Sequence, residues 1–231
     1  MMVSIHQPSY LPYLGVIEKA LKSDIFVLYD TAQYSKEYFH NRNFIISNIK
    51  KTLLTIPVNN NSWKIYFKDV NINNKNQIKK HFKSIVYSYS KCKFYQKYIH
   101  KFEQIYNNYK KYDKLIDITI PIIKEILNIF NYKGIIVLAS ELNYDTNLKS
   151  TDALVAICKK LNATEYIAGS GGKGYIDEHK FKDANIRLLY QDFKCLPYNQ
   201  FNCDDFIPYL NTLDYIFNCG NDSSVFSNSF Q

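Results

Sequence analysis

The chain has 231 residues, 46% of them hydrophobic and 16% aromatic, which excludes a disordered polypeptide and supplies enough apolar side chain for a sizeable core. The formal net charge is +8, yet only two of the 29 basic residues are arginine, and the abundance of Lys, Asn, Ile and Tyr is what AT-rich codons produce. The charge therefore suits solvated faces, or a cleft for a phosphorylated small molecule, as well as it suits a nucleic-acid surface.

The longest apolar runs, such as Ile135 to Ala139, are far too short to cross a bilayer, and the N-terminus lacks the charged flank and cleavage site of a secretory signal. The expectation is a soluble, cytoplasmic protein with no membrane span. Cysteines at 92, 158, 195, 203 and 219 are odd in number and lack zinc spacing, which predicts reduced thiols and no metal site.

In chain order, Val3 to His6 reads as a strand and SIHQPSYLPYLG as a proline-stiffened loop leaving it. Gly15 to Leu21 reads as a short helix, and Ile25 to Tyr29 as a buried strand closed by Asp30. Strand, loop, helix and strand in so few residues make a βαβ unit, which favours a parallel sheet. Phe44 to Ser47, Thr52 to Val58 and Lys64 to Ile72 are short strand candidates between Asn-rich turns. Residues 76–90, 94–109 and 113–129 carry apolar residues at three-four spacing and read as helices, with most of their tyrosines in the core.

Strand and helix then alternate again. Gly134 to Ser140 is a strand, Ser150 to Leu161 a helix with Ser150 or Thr151 as cap, and Thr164 to Ala168 a strand. Gly169 to Tyr175 is a Gly-rich loop, Ile176 to Asp183 a helix, Ile186 to Tyr190 a strand, and Leu213 to Phe217 a short helix. The expected fold is α/β, a Rossmann-like, mostly parallel sheet. The chain reads as a single domain over 1–231 with a helical insertion over 73–132.

Ligands of parallel α/β sheets bind at the C-terminal ends of the strands, where three polar clusters fall. His6, Gln7, Tyr10 and Tyr13 occupy the first. Proline at 8 and 12 would hold them still, His6 serving as hydrogen-bond donor to a phosphate or as general acid or base, or else as a buried ring satisfied by backbone. The second is Asp30 to Asn43, with Asp30, Gln33, Lys36, Asn41, Arg42 and Asn43. Arg42 is one of only two arginines and can clamp a phosphate or carboxylate.

The third is Gly169, Ser170, Gly171, Gly172, Lys173 and Tyr175. Four of the seven glycines fall here, where bare backbone N–H groups and a following helix suit an anion. It matches neither the P-loop nor the GxGxxG pattern, so a plain tight turn is the competing reading. Gln191, Asp192, Tyr198 and Gln200 form a weaker fourth set, and Asp214, Asn218 and Gly220 could cap or pack. Trp63 is the single tryptophan, singled out for its rarity.

Together, IHQPSYLPYLGVIEKALKSDIFVLYDTAQYSKEYFHNRNFI, LTIPV, TEYIAGSGGKGYID, YNQF and LDYIFNCG resemble the WbqC-like protein family, over about residues 3 to 220. The resemblance implies a setting among genes for O-antigen and other surface polysaccharides. It implies a transferase placing an acyl or aminoacyl group on the amine of a nucleotide-linked sugar. Arg42 and the Gly169 to Gly174 loop would then hold phosphates, and His6 or Asp30 would take the proton of the attacking amine.

The opening layout is also similar to HIGH-type nucleotidyltransferases, but tyrosines 10 and 13 stand about where their histidines would be. Adenylyl transfer to a small acid or amine is the alternative activity, and a non-catalytic nucleic-acid or partner-binding module the alternative class. The expected partner is a phosphorylated small molecule or nucleotide sugar rather than nucleic acid. The sequence names neither a cofactor nor an oligomeric state.

Overall fold

The protein, seen in a computed structural model, is described over residues 1–36, 38–59, 65–201 and 203–226. Trp63 and the start of the expected strand at Lys64 lie outside the described residues. In chain order the elements begin with β1 (Met2–His6), α1 (Leu14–Leu21) and β2 (Ile25–Leu28). A hairpin follows, β3 (Arg42–Ser47) and β4 (Lys50–Thr55), then helices α2 (Asn76–Tyr89), α3 (Tyr95–Asn107) and α4 (Ile116–Ile129). The chain continues through β5 (Ile135–Leu138), α5 (Ser150–Lys160), β6 (Glu165–Ala168), α6 (Glu178–Asp183), β7 (Arg187–Tyr190) and α7 (Thr212–Cys219).

Five strands pair in parallel in the order β5-β2-β1-β6-β7, the Rossmann-like α/β arrangement expected. The central strands are buried on both faces, so they read as apolar runs, and their side chains divide with period two. Val3, Ile5 and Val27 face Leu154, Ile157 and Cys158 of α5 and Phe181 of α6. Phe26 and Leu28 face the other way, into a core built with Ile17 of α1, Ile118, Ile122 and Ile126 of α4, and Phe217 of α7. Truncating a fully buried ring such as Phe26 would cost about 3–5 kcal/mol.

Helices α2 to α4 intervene between β2 and β5 and share that second core. On α3 the buried positions are Tyr95, Tyr98, Phe102 and Tyr106, the apolar stripe that its spacing predicts. No helix among the described residues is long and apolar enough to cross a membrane. All five cysteines are free, and burial pushes the Cys92 and Cys158 thiols up to about 12.

Three local expectations change. Residues 65–72 form no strand; Phe67–Asp69 is a short 3-10 turn. Phe67 and Val70 are fully buried anchors, and the backbone here braces the loop after β2 through Tyr34 N–H to Ile65 O, Phe67 N–H to Ala32 O and Lys68 N–H to Asp30 O. The strand expected over Thr52 to Val58 runs earlier, over Lys50–Thr55, because Asn48 and Ile49 both take left-handed φ (51° and 64°) and turn the chain directly back. Neither Ser150 nor Thr151 caps α5. Lys149 is the cap residue, without a side-chain bond, and the Thr151 hydroxyl accepts from Asp177 N–H instead.

Candidate functional site

The strand order sets the place of the site. From β1 the sheet grows one way through β2 and β5, and the other way through β6 and β7, so the crossovers diverge at the C-terminal ends of β1 and β6. Such a switch point leaves a crevice that the helices do not fill. His6 ends β1 and Gly169 follows β6, so the opening loop and the Gly-rich turn stand on its two sides.

Three clefts meet there, and Gln7 lines all of them. The first, of about 540 Å³, runs between His6, Lys19, Gly169 to Gly172, Tyr175 and Gln191. The second, of about 590 Å³, is walled by aromatic rings: Tyr13, Tyr38, Phe39, Phe44, Phe193 and Tyr209. The third, of about 790 Å³, is polar, with Thr31, Gln33, Tyr66, Asp69, Asn147 and Lys149 among its walls. His6, Tyr13, Tyr38 and Ser170 are shared by the first two, and Tyr29 and Ser150 by the first and third.

The proline loop is held rigidly. Tyr10 N–H donates to His40 O at 2.8 Å, Asn43 Nδ2 to Leu11 O at 2.5 Å, and the N–H and hydroxyl of Thr212 both donate to Pro12 O. Tyr10 is an anchor rather than a cleft residue. Its ring is fully buried, with its hydroxyl 3.0 Å from His81 Nδ1 and 2.8 Å from the Tyr106 hydroxyl. Leu11 takes φ 50°, a left-handed conformation that L-residues avoid, and these bonds hold it there.

The Gly-rich segment is a 3-10 turn, Ser170–Gly174. At 169 and 171 an added Cβ would meet nothing within 4 Å, so these glycines leave backbone open where it borders the cleft. Gly172 is different. A Cβ there would sit 2.8 Å from Ile176 Cδ1 and 3.2 Å from Ala168 Cβ, so its bareness serves packing. The uncapped start of α5 at Ser150 borders the same cleft, and unpaired helical N–H groups favour negative charge.

The other expected site residues are divided between clefts and framework. Gln33 lines the polar cleft, and its carbonyl accepts from Gln7 Nε2 at 3.4 Å. Gln191 lines the glycine cleft and donates to Gly15 O at 2.8 Å and Glu18 Oε2 at 2.5 Å. Asn43 borders the aromatic cleft, whereas Asn41 is buried and donates to Ile56 O.

Arg42 and Lys36 line none of the three clefts. The Arg42 guanidinium donates to Lys36 O at 2.9 Å and closes the loop that presents Tyr38 and Phe39. Asp30 is buried, with its two oxygens on Ser140 N–H (2.9 Å) and the Ser140 hydroxyl (2.5 Å), and it too lies outside the clefts. Lys173 sits over the Tyr190 ring. Tyr198 donates to Asp214 Oδ2 at 2.6 Å and Gln200 Nε2 donates to the same oxygen at 3.0 Å, in a buried knot away from the clefts.

Lys19 is the residue that the local pattern hides. It lies on α1 and is only 4% exposed, and it lines the glycine cleft. Its ammonium donates to Ile5 O at 2.9 Å and lies 3.4 Å from His6 Nδ1. Among the described residues no carboxylate pairs with it; the adjacent Glu18 turns to Lys22 and Gln191. Burial lowers the Lys19 pKa to about 8. His6 is pushed well below the usual histidine range, by burial first and then by the neighbouring Lys19 and His40, so its ring is neutral at physiological pH. The available signal was α1 itself: a helix linking two central strands is covered nearly all round, so its lysine need not face water.

The profile of the WbqC-like protein family matches residues 7–225. The chain belongs to the WbqC-like protein family. The matched span holds the whole lining of the polar cleft and the helices between β2 and β5, and the lining of the other two clefts except Ile5 and His6, which precede it. The chain is also similar to the Mycobacterium tuberculosis (strain ATCC 25618 / H37Rv) protein named "Uncharacterized protein Rv1507c", 27% identical over 227 residues that cover 94% of each chain. No solved structure matches the chain.

Proposed function

We propose that this WbqC-like protein is a cytoplasmic transferase acting on a nucleotide-linked amino sugar, moving an acyl or aminoacyl group to the sugar amine in surface-polysaccharide or O-antigen biosynthesis. The observation that supports it is the convergence of three chemically different clefts on Gln7 at the switch point of the sheet. A nucleotide sugar has three matching parts. The aromatic cleft suits a base, by stacking. The glycine cleft, with open backbone at Gly169 and Gly171 and the start of α5, suits the diphosphate. The polar cleft suits the hydroxyls and amine of a sugar.

In this reading Arg42 supports the aromatic wall rather than touching phosphate, and Asp30 ties β2 to the segment after β5. The test is thermal denaturation with a panel of UDP-, GDP- and dTDP-linked amino sugars. A ligand that binds only the folded chain at a hundred times its Kd stabilises it by about 2.7 kcal/mol. A panel that leaves Tm unmoved would remove the reading, as would ATP-dependent pyrophosphate release with small acids or amines in its place.

A further inference from the structure

Lys19 and His6 form a pair that needs a role. A lysine stripped of water ordinarily has a carboxylate partner, because a buried lone charge is costly. Among the described residues the ammonium meets only a carbonyl and an imidazole nitrogen, where Lys19 lines the glycine cleft. An ammonium has three donors and no acceptor, so the His6 nitrogen beside it must accept. A neutral imidazole whose Nδ1 accepts carries its proton on Nε2, the nitrogen left for the clefts that His6 borders.

We propose that Lys19 holds His6 as the Nε2–H tautomer, and that the two form a donor-only receptor for a phosphoryl group at the β1–β6 switch point. His6 then works as a hydrogen-bond donor and not as a base. The bound anion provides the counter-charge that Lys19 lacks in the free protein, and the start of α5 at Ser150 and the open backbone at Gly169 and Gly171 face the same space. Near the pair are the adjacent Glu18, which is turned to Lys22 and Gln191, His40, which burial holds neutral with a pKa of about 4, and Tyr13, Tyr29, Tyr38, Tyr166 and Tyr175, which line the same cleft. The inference deepens the nucleotide-sugar reading by assigning the diphosphate its floor.

Two measurements test it. Long-range ¹H–¹⁵N correlation spectra of the whole chain, labelled at histidine, read the tautomer at neutral pH, with His6 assigned by its loss in His6→Gln. The expected result is a neutral His6 ring protonated at Nε2 in the wild type and no longer fixed in that form in Lys19→Met. A wild-type ring protonated at Nδ1, or charged, overturns the proposal without recourse to any variant. Calorimetric titration with inorganic pyrophosphate reads the receptor.

His6→Gln, which keeps an N–H donor at a similar reach, should retain affinity within about threefold. His6→Phe should lose about ten- to a hundredfold, the loss of a hydrogen bond to a charged group. Equal loss in both variants, or no wild-type binding of pyrophosphate, sinks the receptor. The tautomer belongs to the free protein, so the outcomes separate: an Nε2–H ring and pyrophosphate binding, with no nucleotide sugar bound, would end the nucleotide-sugar reading and leave this one standing.

Discussion

Replacing Lys19 by Met should make the protein more stable while weakening its hold on pyrophosphate. Met matches the buried stem in volume and removes the charge. The fall in the Lys19 pKa from 10.5 to about 8 measures what burying the cation costs. At about 1.4 kcal/mol per pKa unit this is about 3 kcal/mol at neutral pH. The lost hydrogen bond to Ile5 O returns about 1 kcal/mol, leaving a net gain of about 2 kcal/mol. For a chain of this length that is a rise in Tm of about 4–8 °C.

The sign with pH is specific. Between about 8 and 10.5 the unfolded chain holds more protons on Lys19 than the folded chain does, so wild-type stability gains on that of Lys19→Met as pH rises through this window. Urea denaturation of both proteins at pH 7 and pH 10 reads the difference directly. It also cancels the shared background of buried tyrosines such as Tyr10 and Tyr89, whose raised pKa values act the opposite way at high pH. A variant less stable than wild type at pH 7, or a difference that does not narrow by pH 10, would refute the account of Lys19 as an unpaired buried cation.

Other substitutions separate access from packing. Gly171→Val should leave Tm within about 1 °C while reducing pyrophosphate affinity, because its Cβ meets open cleft; Gly172→Val should lose about 1–3 kcal/mol by crowding Ile176 and Ala168, as measured by thermal denaturation. Asp30→Ala should lower stability by about 1–3 kcal/mol in urea and leave pyrophosphate titration unchanged, since both of its oxygens serve Ser140. Asp214→Ala should be more severe, about 2–5 kcal/mol, because it strands the Tyr198 hydroxyl and Gln200 amide in a buried knot.

Much of the frame was legible because its signals are local. Apolar runs at Ile25–Leu28 and Tyr166–Ala168 mark strands buried on both faces, and three-four spacing marks α2 to α4. Residues 65–72 failed as a strand because Phe67 and Val70 look equally apolar in a strand or as anchors of a turn, and only their partners in the loop after β2 decide. The clusters at 6–13 and 169–175 reached the clefts because strand ends are readable from sequence. Within them Tyr10 went to the core and Tyr13 to a cleft wall, a difference that one loop's hydrogen bonds settle.

The amino-acid sequence by itself determined the parallel strands, most of the helices and the two loops that border the crevice, since these depend on periodicity and on proline and glycine at given positions. Tertiary structure alone decided which polar groups face it. Arg42 and Asp30 are drawn into the framework by a carbonyl and a serine that local sequence does not place beside them, while Lys19 is enclosed because α1 is packed between the sheet and α4. A side chain's charge is written in the sequence. Whether water, a partner or an empty cleft meets that charge is set by chain segments far away along it.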